Sequence, residues 1–429
     1  MSYSIANYTD PQTIEESTGG KNLHMTHLDE LILASESPKD FTATTNFLKS
    51  VVELLHGRST KKSAITTKWD GAPAIFCGLD PADSKFFVGT KAVFNKVPKL
   101  IKTELDLDLF GFKGDLKTKL LIALKELPKL NIPRGIVLQG DMLFTTGDIT
   151  DKNIDGLDYI TFQPNTIMYA VPVKSDLAKQ MRRSKLGMIF HTTYTGTTLQ
   201  GMKASFGADV SKLNRIKSVW FDDAEYKNFS NILFSASEFV KLSDDIEKIE
   251  KLEVNITGKN SKQYREYHLI QRNLKSSELG AGLMTFFNSQ IRKGSTVRRG
   301  KLAVLDYFNH VESHFNDKVI AKVKSEKGKT QKTERRDQIL SSLKNLRPLI
   351  IDIVNFTTAV SNIKDRIIRK LESGVNKEIK NFVVDKTGIR VTNPEGFVAI
   401  DKLTGGAVKF VDRSEFSNLN FNVDKKWSK

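Results

Sequence analysis

The chain has 429 residues and a formal net charge of +16, a surplus that favours a polyanionic partner over an acidic substrate pocket. With 39% hydrophobic residues it has material for two domain cores, and its single cysteine, Cys77, excludes an intrachain disulfide, as expected in a reducing compartment. No apolar run approaches membrane-spanning length, and residues 1–18 are polar without a signal-peptide core.

From the N-terminus, Gly19-Gly20-Lys21-Asn22-Leu23-His24-Met25-Thr26-His27-Leu28-Asp29-Glu30 packs two histidines and two acids into a short space. His24 and His27 could share a face and hold a metal; the simpler reading is a helix start, capped by Thr26 with Asp29 and Glu30 in its first turn. The spacing of Phe41, Phe47, Val51, Leu54 and Leu55 predicts a core-packing helix over 40–56. Next comes a strand, Ala64-Ile65-Thr66-Thr67, leading into Lys68-Trp69-Asp70-Gly71 and a turn at Gly71-Ala72-Pro73, which puts Lys68 at a strand exit. A second strand, Phe86-Phe87-Val88-Gly89-Thr90-Lys91, is expected to pair antiparallel with it and to carry Lys91 within reach of a phosphate.

Gly135 to Phe144 reads as a buried strand interrupted by one carboxylate, Asp141. A charge in that setting is costly unless it binds a metal or a hydroxyl, which makes Asp141 a candidate functional residue. Another apolar strand, Asn165 to Pro172, carries Tyr169. From about 209 to 384 the pattern turns helical, with apolar residues at three-four spacing over Asn231 to Val254, Gln263 to Arg292, Lys301 to Lys322 and Asp337 to Leu371. This stretch holds two basic tracts. One has Arg292, Lys293, Arg298, Arg299 and Lys301 among glycine and serine, and the other spans 318–336 with Lys322, Lys324, Lys327 and Lys329. Both suit contact with nucleic-acid phosphates, and solvated loops between helices explain each tract equally well. Near the end, Pro394 to Ile400, a Gly405-Gly406 turn and Ala407 to Val411 form a hairpin with Glu395 on one arm and Lys409 on the other.

In order and type these segments resemble the covalent nucleotidyltransferase superfamily of ATP-dependent ligases and mRNA capping enzymes, most closely its phage-type RNA ligases. Lys68-Trp69-Asp70-Gly71 looks like motif I, Thr90-Lys91 like motif Ia and Gly140-Asp141 like motif III, where the family usually has Glu. The strand around Tyr169 looks like motif IIIa, Glu395-Gly396-Phe397-Val398 like motif IV and Val408-Lys409-Phe410 like motif V. The resemblance implies an α+β fold: an antiparallel-sheet, ATP-grasp-like ligase core carried by 1–208 and 385–429, with 209–384 inserted as a mostly α-helical domain. It also implies a nucleophile, Lys68, that takes AMP from ATP, passes it to a 5′-phosphate and sees it displaced by a 3′-hydroxyl. Lys409 would touch the α-phosphate and depress the pKa of Lys68. Lys91 would contact phosphate or the incoming strand, and Tyr169 would stack on adenine. Glu395 and Asp141 would supply oxygen ligands for Mg²⁺ or Mn²⁺, or bind a ribose hydroxyl. Thr66, Asp70 and Gly71 would line the nucleotide, Asp70 orienting the turn.

Two positions depart from the family pattern. Pro73 and Ala74 stand where an Arg commonly follows motif I, and Val411 stands where motif V commonly has a second basic residue. Residues 410–429 are also too few for the OB-fold domain, about a hundred residues, that follows motif V in DNA ligases and capping enzymes. The expected function is therefore an ATP-dependent RNA ligase acting on tRNA or a nicked duplex in the cytoplasm, the host's if the chain is phage-encoded. The alternatives are adenylylation of another acceptor, or nucleic-acid binding without turnover.

Overall fold

The computed structural model describes residues 27–58, 63–226, 232–374, 378–385, 388–401 and 407–412. The stretch from Gly19 to Thr26 and the Gly405-Gly406 turn lie outside them. Helices α1 (Leu28–Leu33) and α2 (Lys39–Leu55) lead into β1 (Ser63–Lys68), β2 (Ala74–Leu79) and β3 (Phe86–Gly89). Then come α3 (Glu104–Leu109), α4 (Gly114–Glu126), β4 (Ile136–Thr145), β5 (Thr150–Ile154), β6 (Leu157–Phe162), β7 (Ile167–Pro172), α5 (Asp176–Arg183), β8 (Leu186–Thr195), β9 (Lys203–Phe206) and β10 (Val219–Asp223). A helical run follows: α6 (Ala236–Val254), α7 (Ser261–Arg272), α8 (Leu283–Arg292), α9 (Gly300–His314), α10 (Glu326–Asn345) and α11 (Arg347–Glu372). The chain closes with β11 (Lys380–Asp385), β12 (Gly388–Thr392), β13 (Gly396–Asp401) and β14 (Ala407–Phe410).

Among the described residues the strands form three sheets, so the fold is α+β and largely antiparallel. The smallest joins the two ends of the chain in the order β1-β13-β14, both pairs antiparallel. The largest has the path β10-β8-β4-β2-β3 with β9 beside β8, and its β10-β8 pair is parallel. The third runs β12-β11-β7-β6-β5. No helix among the described residues is long and apolar enough to cross a membrane.

Alternation in the small sheet decides which side chains reach the candidate site. Successive side chains of a strand point to opposite faces, and residues paired across strands share a face. Ile65, Phe397, Ala399, Val408 and Phe410 face the helices and join one continuous core with α1, α2, α6 and α11. The intervening residues face away from that core. Thr66 pairs with Val398, which pairs with Lys409, and Lys68 lies two positions along from Thr66. Slipping β14 by one residue would swing Lys409 into the apolar helical layer.

Several expectations need correction. The strand Phe86–Gly89 pairs with β2 and not with β1. The apolar run Ala74–Leu79 is itself a strand, and the turn at 71–73 carries the chain out of the small sheet into the large one, leaving β1 to pair with β13. The expected helical insertion, 209–384, contains a strand at each end, since β10 belongs to the large sheet and β11 pairs with β7. Its helices do not form a separate core either, because α1 and α2 share theirs. The helix expected over 263–292 is broken between Arg272 and Leu283, where Gly280 and Gly282 interrupt it and the buried Glu278 accepts from its own loop at Lys275 N. The helix expected over 337–371 breaks at Leu346, because Pro348 in the first turn of α11 has no N–H to continue α10.

Candidate functional site

The residues of the expected motif I are held by their own backbone and by β7. The Asp70 carboxylate is buried and accepts from Asn165 Nδ2 (2.7 Å), Thr166 N (2.6 Å) and Ile167 N (2.7 Å). Asp70 N donates to the Tyr169 hydroxyl at 2.7 Å. Four polar contacts in a dry setting fix the strand exit, so Asp70 positions Lys68-Trp69 and has little left to offer a ligand. Gly71 lies against β4: a Cβ there would meet Asp141 Cβ at 2.6 Å and Met142 O at 3.0 Å. That close approach brings motif I beside Asp141.

Lys68 forms an ion pair with Glu395, the residue just before β13. Both side chains are mostly buried, at 21% and 13% exposure, so the pair is only weakly screened. Burial raises the Glu395 pKa above the usual carboxylate range, and the charge of Lys68 works against that rise. For Lys409 the direction is downward, caused first by burial and then by the like charge of Lys68. The two lysines are thus close enough to feel each other.

Lys68 sits where two cavities meet. The smaller, about 230 Å³, lies between the small and large sheets and is lined by Thr66, Lys68, Gln139, Asp141, His191 and Lys409, among others. The larger, about 910 Å³, is lined by Lys68, Trp69, Tyr169, Lys174, Arg215, Trp220 and several carboxylates. Thr67, Lys68 and Trp69 border both. The structure therefore gathers Thr66, Lys68, Asp141 and Lys409 around one space, with Glu395 gripping the would-be nucleophile.

Of the other expected residues, Lys91 falls elsewhere and Tyr169 is tied to the motif I backbone. Lys91 is exposed at the start of a 3₁₀ turn, Lys91–Phe94, and borders neither cavity. The strand ends at Gly89 because Thr90 caps that turn, so the run that was to deliver Lys91 stops short. Tyr169 is buried, with its hydroxyl on Asp70 N and its ring 5.3 Å from that of Trp69. Tyr169 nonetheless borders the larger cavity, beside the more exposed Trp69.

The basic tracts lie apart from both cavities. Arg292 and Lys293 end α8, Arg299 and Lys301 begin α9, and Arg298 is held by Asp306 (Nε to Oδ2, 2.6 Å). Lys322 and Lys324 follow the wide turn after α9, while Lys327 and Lys329 open α10, Lys329 bonding Glu326 at 2.7 Å. The tracts stand beyond opposite ends of α9, whose 15 residues span roughly 22 Å.

Sequence reasoning missed His191, Gln139, Trp220 and Arg215. His191 Nε2 stands 3.6 Å from Asp141 Oδ2, and its Nδ1 is 2.9 Å from Thr192 Oγ1. The available signal was one histidine in an otherwise apolar strand, Gly187-Met188-Ile189-Phe190-His191. Among the described residues no three His, Cys, Asp or Glu side chains converge as a metal site. Asp141 and Glu395 are hard oxygen donors of the kind Mg²⁺ takes, and a bound ion would draw its other ligands from phosphate and water.

The chain belongs to DUF6267, a family of unknown function, whose model matches residues 22–425. No curated protein and no solved structure matches it.

Proposed function

We propose that this protein is an ATP-dependent nucleotidyltransferase that works through a covalent lysyl-AMP at Lys68, and that its acceptor is the 5′-phosphate of an RNA end, as in an RNA ligase. One observation carries the reading. Lys68 from β1, Glu395 from the start of β13 and Lys409 from β14 are drawn together from opposite ends of the chain by adjacent strand pairs, with Asp141 on the same cavity. A set of charges kept in a partly buried cleft at that cost is typical of sites that handle charged substrates.

In the first step the Lys68 amine, freed of its proton to solvent, attacks the α-phosphorus of ATP. An N–P bond forms, the bond to the bridging oxygen breaks, and pyrophosphate leaves. Lys409 offers its ammonium to charge developing on the phosphoryl oxygens, and Glu395 aims the Lys68 side chain. In the second step a 5′-phosphate oxygen attacks the AMP phosphorus and the lysine leaves as the amine, taking up a proton. A 3′-hydroxyl then displaces AMP and closes the phosphodiester. Mg²⁺ bound through Asp141 and Glu395 would neutralise charge on the phosphates.

The reading is tested by incubating the full chain with α-labelled ATP and Mg²⁺. Label should become covalently attached to the wild type, stable to alkali and released by acid as an N–P bond requires, be absent from Lys68→Ala, and be discharged by 5′-phosphorylated RNA but not DNA. Label that no nucleic acid discharges would favour a different acceptor, a reading to which the exposed Lys91 and the departures at Pro73 and Val411 lend weight. Absence of label would leave a nucleic-acid-binding protein without turnover.

A further inference from the structure

Asp141 is a carboxylate without a hydrogen-bond donor. Its side chain is only 23% exposed, yet no hydrogen bond from the described residues reaches it, and Lys68, on the same cavity wall, pairs with Glu395 instead. A mostly buried charge left so is costly unless a cation or water answers it. Opposite it stands the His191 ring, whose Nε2 is 3.6 Å from Asp141 Oδ2, too far for a hydrogen bond. Strand register explains why a histidine faces this cavity. Thr192 pairs with Gln139 and Phe190 with Gly140, so His191 is the extra residue of a bulge in β8. The bulge turns His191 and Thr192, neighbours in sequence, toward the face that carries Gln139 and Asp141. Backbone and ring are both fixed there: His191 O accepts from Gly207 N at 2.8 Å, and Thr192 Oγ1 lies 2.9 Å from His191 Nδ1. An imidazole held through Nδ1 presents Nε2 to the cavity, the arrangement that outer partners impose on metal-binding histidines.

We infer that His191 and Asp141 hold a first-row transition-metal dication, with waters or a phosphate filling its remaining positions. A nitrogen and an oxygen donor on one such ion stand about 3 to 3.4 Å apart, from right-angled to tetrahedral coordination, so a small shift closes this pair on an ion. The cavity, about 230 Å³, has room for several waters of about 30 Å³ each. Mg²⁺ takes oxygen ligands, whereas imidazole favours the transition ions, so the histidine makes the site selective. Nothing in the resemblance points to His191, which stands on β8, outside every motif-like segment. The inference goes beyond the transfer reading at Lys68 and stands without it, since it concerns an ion that the chain binds before any ATP arrives.

The test is titration of the full chain, carrying no histidine tag, with Mn²⁺ in the absence of nucleotide. Binding is followed by loss of the free-ion EPR signal, and the ligands are read by pulsed EPR of the bound ion. The wild type should bind Mn²⁺ and show nitrogen coupling from an imidazole. That coupling is read on the wild type, so the inference stays testable even where a variant fails to fold. His191→Gln and Asp141→Asn should each weaken binding by at least about tenfold, and His191→Gln should lose the coupling, while Thr192→Ser, which keeps the hydroxyl, retains it. Zn²⁺ should displace the Mn²⁺ at far lower concentration than Mg²⁺ does. Bound Mn²⁺ without nitrogen coupling, equal affinity in wild type and His191→Gln, or displacement by Zn²⁺ and Mg²⁺ at the same concentration would overturn the site. Nitrogen coupling in Lys68→Ala would keep the site even if no lysyl adduct forms, whereas an adduct on a chain whose Mn²⁺ lacks the coupling would remove the site and leave the transfer reading intact.

Discussion

The molecule holds two sets of basic residues in opposite circumstances. Lys68 and Lys409 are largely buried on one small sheet, one of them ion-paired and both facing a cavity. The tracts around Arg292 and Lys322 are exposed, spread along helices and answered by local acids such as Asp306 and Glu326. Burying a cation is expensive and solvating one is nearly free. The sheet lysines therefore call for a chemical explanation, whereas the helical tracts contribute mainly to the long-range field that draws a polyanion.

The sharpest way to break this contrast is to remove its two members in turn. Lys68→Ala and Lys409→Ala should each eliminate ATP-derived label, while Arg292→Ala with Lys293→Ala should leave it unchanged; ordinary labelling by Lys409→Ala would show that the hairpin lysine is not part of the site. Next in size, Asp70→Ala strands three donors in a buried position and should lower unfolding stability by about 3 kcal/mol, read by urea denaturation. Gly71→Ala should cost about 2 kcal/mol and reduce labelling, since the new methyl collides with Asp141 and Met142; a wild-type melt and full labelling would mean the backbone there yields freely.

A subtler effect concerns pH. If Lys409 works as an ammonium, labelling must fall as pH rises through its pKa, which burial and Lys68 hold below the ordinary lysine value of about 10.4. Lys409→Arg stays charged, so its pH profile should keep rising where the wild type declines; identical alkaline limbs would assign the decline to another group. The smallest effect belongs to the helical tracts. Neutralising Arg299 and Lys301 should change stability by less than about 0.5 kcal/mol and, if RNA lies there, reduce the salt slope of binding by roughly one unit per lost phosphate contact.

The legible part of the chain was the part governed by short-range pattern. Apolar runs bounded by turn residues announced β4, β7 and the final hairpin, and three-four spacing announced α2 and most of the later helices. Long-range partnership was less readable. That β1 would leave Phe86–Gly89 to another strand depended on Ala74–Leu79, an apolar run whose pairing no local rule specifies. Lys91 was misplaced because one Thr90 cap outweighs a few apolar neighbours. His191, Trp220 and the engagement of Tyr169 by Asp70 were illegible, since each depends on which strands become neighbours in space.

The central claim is a bond between one lysine and one phosphorus. Peptide mapping by mass spectrometry after incubation with ATP and Mg²⁺ tests it most directly. The account predicts an AMP adduct on the peptide containing Lys68, lost when Lys68 is replaced; an adduct on a different residue, or none on a folded, ATP-exposed chain, would contradict it.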